Sequence, residues 1–403
     1  MQLRQLGFTI AVGVIAFAAC TRVEEAGPLP PVPLASAGYA GEAMGPGSMA
    51  GAAGDAMTGQ PLGPGGAPGT IALGLWPTFA TDPARPGDTQ AVQAAVSALS
   101  VGSMTLPLYR RWDDLSGSTG SPRAVTWTEL DDLSKPYRDR NGNLALCIGV
   151  VDRADAAWPF EGELDSDQAL LALQRTVDEV FARYAGQLTH LCFGYELDRY
   201  LAKASRRSQQ RLLTFLSQAV TYASQHPMRG SKTAIGTALT LDALSRVTST
   251  EGLLDDLLIG DEVVAVYDPL DQQGELKAPG SVSDELGAAI EALDARPGAA
   301  LPLTLFEIGY PTSQDAGASE SAQSKFYDAL FGAVSSSRDA LGFLGVFGLG
   351  DRAAADCAAE AAHFGDSAET EARRARVRCS MGLRAETDKP AWESVLAAFS
   401  RYR

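Results

Sequence analysis

The sequence predicts an α/β protein built as a closed (β/α)8 TIM barrel, and three observations predict it. From Thr70 onward, short apolar runs alternate with longer segments of helical period, and eight such pairs fill the rest of the chain. Two of the runs stop at a lone acid, Glu307 in LPLTLFEIGYPTS and Glu196 in LTHLCFGYELDRY. Strands covered on both faces read as continuous apolar runs, and in such a barrel the polar residues that do chemistry stand where those strands emerge into loops. The loop after the first run reads LWPTFATDP, without the Gly-rich phosphate turn that an open doubly wound sheet would carry there.

The expected strands are Ile71–Leu75, Met104–Tyr109, Ala145–Val151, Leu188–Gly194, Thr233–Leu239, Glu262–Tyr267, Pro302–Glu307 and Phe343–Leu349. The helices expected to follow the first four are Thr89–Leu99, Thr126–Leu133, Asp167–Tyr184 and Ser208–Gln225. Those expected after the rest are Asp242–Leu258, Ser283–Asp294, Ser319–Val334 and Ala391–Tyr402. Asp167 and Ser319 are helix-starting residue types, and Gly186 and Pro227 are stop signals. A barrel of this kind needs about 250 residues, so the 403-residue chain is read as one domain, residues 69–403, with N-terminal attachments.

Those attachments have their own grammar. Residues 1–20, MQLRQLGFTIAVGVIAFAAC, carry a positive start, an apolar run and small residues before a cysteine, the pattern of an export signal. The ending Phe17-Ala18-Ala19-Cys20 resembles a bacterial lipobox, with Phe17 in place of the usual Leu. The resemblance implies that Cys20 is the lipid-modified first residue of the mature protein, anchored to a membrane. Thr21 rather than Asp after it implies the outer membrane. Cleavage after Ala16-Phe17-Ala18 is the rival reading and would leave a soluble secreted protein. Residues 21–68 are rich in Gly, Pro, Ala, Ser and Met, and such a segment buries too little apolar surface to offset its ordering entropy. It is expected to be a disordered tether spanning about 40 Å.

A net charge of −16 and a pI near 4.7 exclude a nucleic-acid partner, which would need clustered Lys and Arg. The three histidines, His190, His226 and His363, have no ligand spacing, so neither a metal nor another cofactor is expected. A monomer is the expected state.

If the barrel closes, the residues at its strand ends share one face. They are Trp76; Tyr109, Arg110, Arg111 and Trp112; Asp152; Glu196 and Asp198; Tyr267 and Asp268; Glu307 and Tyr310; and Asp351 and Arg352. Aromatic rings, carboxylates and arginines together suit a sugar, whose apolar ring faces stack while its hydroxyls need polar partners. Acids at strand ends also cap the following helix or pair with a neighbouring arginine, and that reading stays open for Asp152, Asp198 and Asp351.

The segment LFEIGYPTS around Glu307 resembles the nucleophile strand of clan A retaining glycoside hydrolases, relatives of the galactanases and other endo-β-glycanases, in which a Glu-x-Gly-Tyr-Pro run recurs. FGYELDRYL is similar to their acid/base strand, VAVYDPL to their Tyr-Tyr-Pro, SESAQSKFYDAL to the helix after the nucleophile, and MGLRAETDKPAWESVL to the last strand–helix passage. The resemblance implies two-step displacement on a β-linked poly- or oligosaccharide, with Glu307 as nucleophile and Glu196 as acid/base. The strand-end positions give Trp76, Tyr109, Arg110, Trp112, Asp152, Tyr195, Asp198, Tyr267 and Tyr310 as the expected sugar contacts, and Tyr267 and Arg110 as the candidate donors to Glu307. Two departures stand out. The family's Asn before the acid/base is Tyr195, which cannot offer both the donor and the acceptor of an amide, and the Trp usual after the last strand is absent, Phe347 being the nearest aromatic. A barrel that binds glycan without cleaving it is therefore the alternative.

Cys147 and Cys192 fall in neighbouring strands and are read as free, buried thiols. Cys357 and Cys379 bracket a polar, Ala-rich insertion, Asp351–Arg378, and in an oxidising compartment a disulfide between them is expected. Closing a loop of about 22 residues would contribute about 3 kcal/mol.

Overall fold

The computed structural model describes residues 71–76, 104–115, 127–160, 162–246, 255–296, 301–384 and 388–402. The expected export segment with Cys20, the expected tether and the expected helix Thr89–Leu99 lie outside the described residues.

Eight parallel strands close a barrel: β1 (Ala72–Leu75), β2 (Thr105–Arg111), β3 (Asn143–Asp152), β5 (Leu188–Tyr195), β6 (Ala234–Thr240), β7 (Glu262–Val266), β8 (Leu303–Ile308) and β9 (Leu341–Val346). A two-residue strand, β4 (Asp155–Ala156), folds back antiparallel on the end of β3. Closure is made by β1, which pairs with β2 on one side and β9 on the other, and by β2 with β3. Every residue of β6, β7 and β8 is buried, including the polar Thr237, Thr240, Glu262, Thr304 and Glu307 among their mostly apolar residues.

Helices surround the barrel with one apolar stripe turned inward. In the helix Asp167–Tyr184, Leu173, Val177, Val180, Phe181 and Tyr184 are buried, and the Ser166 hydroxyl caps the start by accepting from the Ala169 amide. The expected helix Asp242–Leu258 is not continuous over the described residues. Thr240 caps a helix over Leu241–Ser245, and a single 3-10 turn follows at Asp255–Leu257, with 247–254 outside the description. After β9 the polar insertion folds as a hairpin of two helices, Ala354–Ala361 and Ala368–Cys379, before the closing helix Pro390–Arg401.

Both cysteine pairs are disulfides. Cys357–Cys379 ties the hairpin as expected, with 5.6 Å between Cα atoms. Cys147–Cys192 corrects the reading of two free thiols: β3 and β5 are neighbours, the two residues stand in register, and their Cα atoms are 4.5 Å apart. The bond therefore staples two strands already held by the ladder, across 45 residues of sequence. By chain entropy, Cys147→Ser with Cys192→Ser is expected to cost about 4 kcal/mol, measured as a lower urea midpoint with an m-value somewhat raised by the more expanded unfolded chain. A loss below about 1 kcal/mol would show that the barrel ladder alone sets the stability of this strand pair.

Candidate active site

The two candidate glutamates reach the same end of the barrel by different local devices. β5 ends at Tyr195, and Glu196 then takes a left-handed conformation, φ 51° and ψ 50°, that turns the chain into the helix Leu197–Lys203. Gly194 permits the turn, since a Cβ there would meet the Leu197 side chain at 2.3 Å. On the neighbouring strand Arg153 is also left-handed, φ 58°, and its amide donates to the Tyr195 carbonyl at 3.0 Å. Non-glycine residues in this region are strained, and such strain collects at functional sites. Here it aims Arg153 at Glu196. Glu307 stands one residue before the end of β8 and is 2% exposed.

What surrounds these carboxylates is a network of arginines. Glu307 accepts from the Tyr195 hydroxyl and pairs with Arg378. Both oxygens of Glu196, 1% exposed, are engaged, Oε1 by Arg153 Nε at 3.3 Å and Oε2 by Arg199. Arg153 also holds Asp152 at 2.6 Å and Glu360 at 2.6 Å. Glu360 in turn pairs with Arg378 at 2.6 Å and with Arg352. Asp268 is shared by Arg199 and Arg374, the latter at 2.6 Å. Arg111 joins Asp152 at 3.2 Å to the rim.

The electrostatics follow from this crowding. Burial pushes the Glu196 carboxyl above its ordinary value, against the opposing pull of Arg199 and Arg153. Burial acts in the same sense on Asp268 and Glu360, but there the guanidiniums win: Arg374 and Arg199 hold Asp268 low, and Arg378, Arg352 and Arg153 hold Glu360 low. The Tyr195 phenol is pushed up by burial and by the charge of Glu307, so it stays a donor.

A cavity of about 210 Å³ opens beside Glu307. Of the expected site residues, Trp76, Tyr109, Arg110, Asp152, Tyr195 and Glu307 line it, and Arg153, Phe347, Glu360 and Arg378 are among the other lining residues. Trp76 is fixed by its indole donating to the Phe306 carbonyl at 2.7 Å, and the Tyr109 and Tyr195 rings lie 4.2 Å apart. Glu196 lies behind this wall and is not part of it.

Other expected contacts are placed elsewhere. Trp112 is buried, its indole donating to Thr176 at 2.9 Å and its ring packed on Phe215. Asp198 accepts from the Thr240 amide and hydroxyl, each at 2.8 Å, so it ties the helix Leu197–Lys203 to the end of β6, a structural role other than the helix cap or arginine pair left open for it. Tyr267 and Tyr310 pack on Phe326, and Tyr310 donates to the Lys277 carbonyl at 2.6 Å. Asp351 pairs with Lys389 at 2.8 Å. The donors on Glu307 are Tyr195 and Arg378 in place of the expected Tyr267 and Arg110.

Glu360, Arg374 and Arg378 come from the hairpin, and sequence reasoning missed them. The only local signal for the two arginines is the run RRARVR just before Cys379, which reads as a solvated helix face, and Glu360 has none. Arg153 and Arg199 were visible as neighbours of Asp152 and Glu196, without a sign of their direction.

Breaking a buried ion cluster leaves charge uncompensated, so Glu360→Gln is expected to cost about 3–5 kcal/mol, measured by urea unfolding. Because Glu360 and Asp268 titrate below their unfolded values near 4, the stability they contribute is present above about pH 5 and lost as pH falls. Glu196, shifted upward, contributes with the opposite sign. The melting temperature of wild type should therefore fall below about pH 5, and more steeply than that of Glu360→Gln.

No protein-family model matches the chain, and no curated protein does. Solved structures do. A GH5_18 protein from Bifidobacterium longum subsp. infantis superposes with a TM-score of 0.58 at 13% identity, over 83% of this chain and 79% of that one. A GH5_18 protein from Streptomyces cattleya, solved in complex with GlcNAc, gives 0.55 at 15% identity, over 83% and 80%. An exo-beta-1,4-mannosidase from Opitutaceae bacterium strain TAV5 gives 0.58 at 12% identity, over 82% of this chain, which spans 59% of that longer one. At these identities the likeness establishes the fold: the chain is a (β/α)8 barrel of the shape that several glycoside hydrolase families share.

Proposed function

We propose that the protein is a retaining glycoside hydrolase acting on a β-linked poly- or oligosaccharide, with Glu307 as nucleophile and Glu196 as acid/base. The observation that carries the reading is the pairing of two strand-end glutamates at the mouth of a hydrolase-shaped barrel, one of them on an aromatic-lined cavity. Tyr195 and Arg378 donate to Glu307, the partners a carboxylate needs if it is to attack. In the first step a Glu307 oxygen bonds to the anomeric carbon as the glycosidic bond breaks, and the leaving oxygen takes the Glu196 proton. In the second, Glu196 removes a proton from water, and that water displaces Glu307. Burial of Glu196 favours the protonated form the first step requires. The export reading extends this: the enzyme acts outside the cytoplasm, as a monomer held at the outer membrane through a lipid on Cys20.

A second reading is favoured by specific contacts. Glu196 is held by arginine on both oxygens, and Tyr195 stands where the resembling hydrolases carry an amide that grips the sugar. A barrel that only binds glycan would look like this.

Hydrolysis of a broad panel of β-linked glycans decides between them. Under the hydrolase reading wild type cleaves at least one member, Glu307→Gln loses turnover while keeping affinity, and Glu196→Gln loses about 10²–10⁴-fold. The rate should fall as pH rises through a value above the ordinary 4.5 of a glutamate, a limb absent in Glu196→Gln. Binding without cleavage across the panel would establish the second reading.

A further inference from the structure

The helical hairpin Ala354–Cys379 does more than fill space after β9. Its Arg378 pairs with Glu307, its Glu360 with Arg153, and its Arg374 with Asp268. Its Phe364 ring lies against three guanidiniums, with Arg374 at 3.8 Å, Arg153 at 4.4 Å and Arg199 at 5.1 Å from the ring centre. Arg153 and Arg199 are the two residues that hold Glu196. The hairpin thus covers the arginine pair over one candidate glutamate and supplies the ion partner of the other.

The cavity left under that cover, about 210 Å³, falls below the roughly 300–1,000 Å³ of ordinary ligand pockets. Glu196 is outside its lining, so of the two glutamates a saccharide seated there reaches only Glu307. In addition, the tip of the hairpin meets the mouth through ion pairs, cation–π contacts and hydrogen bonds, the last from Lys203 Nζ to the Phe364 and Gly365 carbonyls and from the Ala154 amide to the His363 carbonyl, and its apolar contact, through Val377, lies near the base. Charged groups that part regain hydration, which offsets much of the interaction they lose, whereas an apolar face gains nothing on parting. A contact of this kind can open and reclose. The base of the hairpin is fixed separately, by the Asp351–Lys389 pair and by the Arg352 amide donating to the Cys379 carbonyl at 3.0 Å.

We propose that Ala354–Cys379 is an autoinhibitory lid, closed in this structure, whose tip around Phe364 and Arg374 lifts from Arg153, Arg199 and Asp268 to join Glu196 to the cavity of Glu307, while Arg378, next to the fixed base, stays on Glu307. The lid itself stands on contacts alone; that its lifting permits cleavage rests on the hydrolase reading above. The Cys357–Cys379 disulfide keeps the two helices moving as one body.

The test compares full-length wild type with two lid variants, Phe364→Ala/Arg374→Met and Cys357→Ser/Cys379→Ser, by hydrogen exchange and by affinity and turnover on a β-linked glycan panel. The first variant loosens the cover and the second loosens the body, so either alone suffices if the other fails to fold. If the hairpin is a lid, exchange quickens in both 354–379 and the 195–203 segment. Glycan affinity or kcat/KM also rises about tenfold, since a competent state populated at one part in ten weakens apparent affinity by that factor. Faster exchange of the hairpin with unchanged exchange at 195–203 and unchanged affinity and turnover would overturn the proposal. Raised affinity without cleavage in any variant would support the lid and sink the hydrolase reading. No binding and no cleavage in any variant would sink both.

Discussion

Burying charge is the constraint on which the mouth of this barrel depends. Each ion taken out of water costs several kcal/mol, and only close opposite charge and full hydrogen bonding offset it. The strand ends carry Asp152, Glu196, Asp268 and Glu307, all under a tenth exposed, so guanidiniums had to be brought to them. Arginine suits the task because its planar fork serves several carboxylates at once: Arg153 reaches Asp152, Glu196 and Glu360 together. The network binds elements far apart in sequence, and its members cannot be removed singly without stranding a charge.

The barrel and the hairpin divide this work. The barrel provides register: β3 and β5 are neighbours, so the left-handed turns at Arg153 and Glu196 face each other, and the Cys147–Cys192 staple sits below them in the same strand pair. The hairpin provides the charge that the barrel lacks, Arg378 for Glu307 and Arg374 for Asp268. Tyr195 links the halves. Its hydroxyl donates to Glu307 while its ring packs, tilted by 35°, on Tyr109 and carries the Arg153 guanidinium at 4.9 Å. A phenol at this position therefore organises both glutamates, which an amide could not do by size alone.

The eight strands were legible in the sequence because a short, continuous apolar run between turn residues suits a strand covered on both faces, and their observed limits differ from the expected ones by only a few residues, as between Pro302–Glu307 and Leu303–Ile308. Glu196 and Glu307 were legible because a lone acid closing an apolar run is costly to bury unless a partner or a ligand meets it. The fate of their neighbours was not. Whether Trp112 faces a ligand or Thr176 depends on a side-chain direction that spacing does not encode. Nor could composition show that the Arg-rich helix Ala368–Cys379 would turn Arg374 and Arg378 inward, since a charged helix face is ordinarily solvated and only long-range partners make it otherwise. The pairing of Cys147 with Cys192 was a matter of register, which the strand boundaries alone leave open by a residue either way.

Whether Glu307 and Glu196 act as a displacement pair on a β-linked glycan is tested most directly by the anomeric form of the first product. Proton NMR during the first minutes of cleavage, before mutarotation, should show the β-anomer appearing first, as double displacement requires. Initial release of the α-anomer would contradict the assignment of Glu307 as nucleophile.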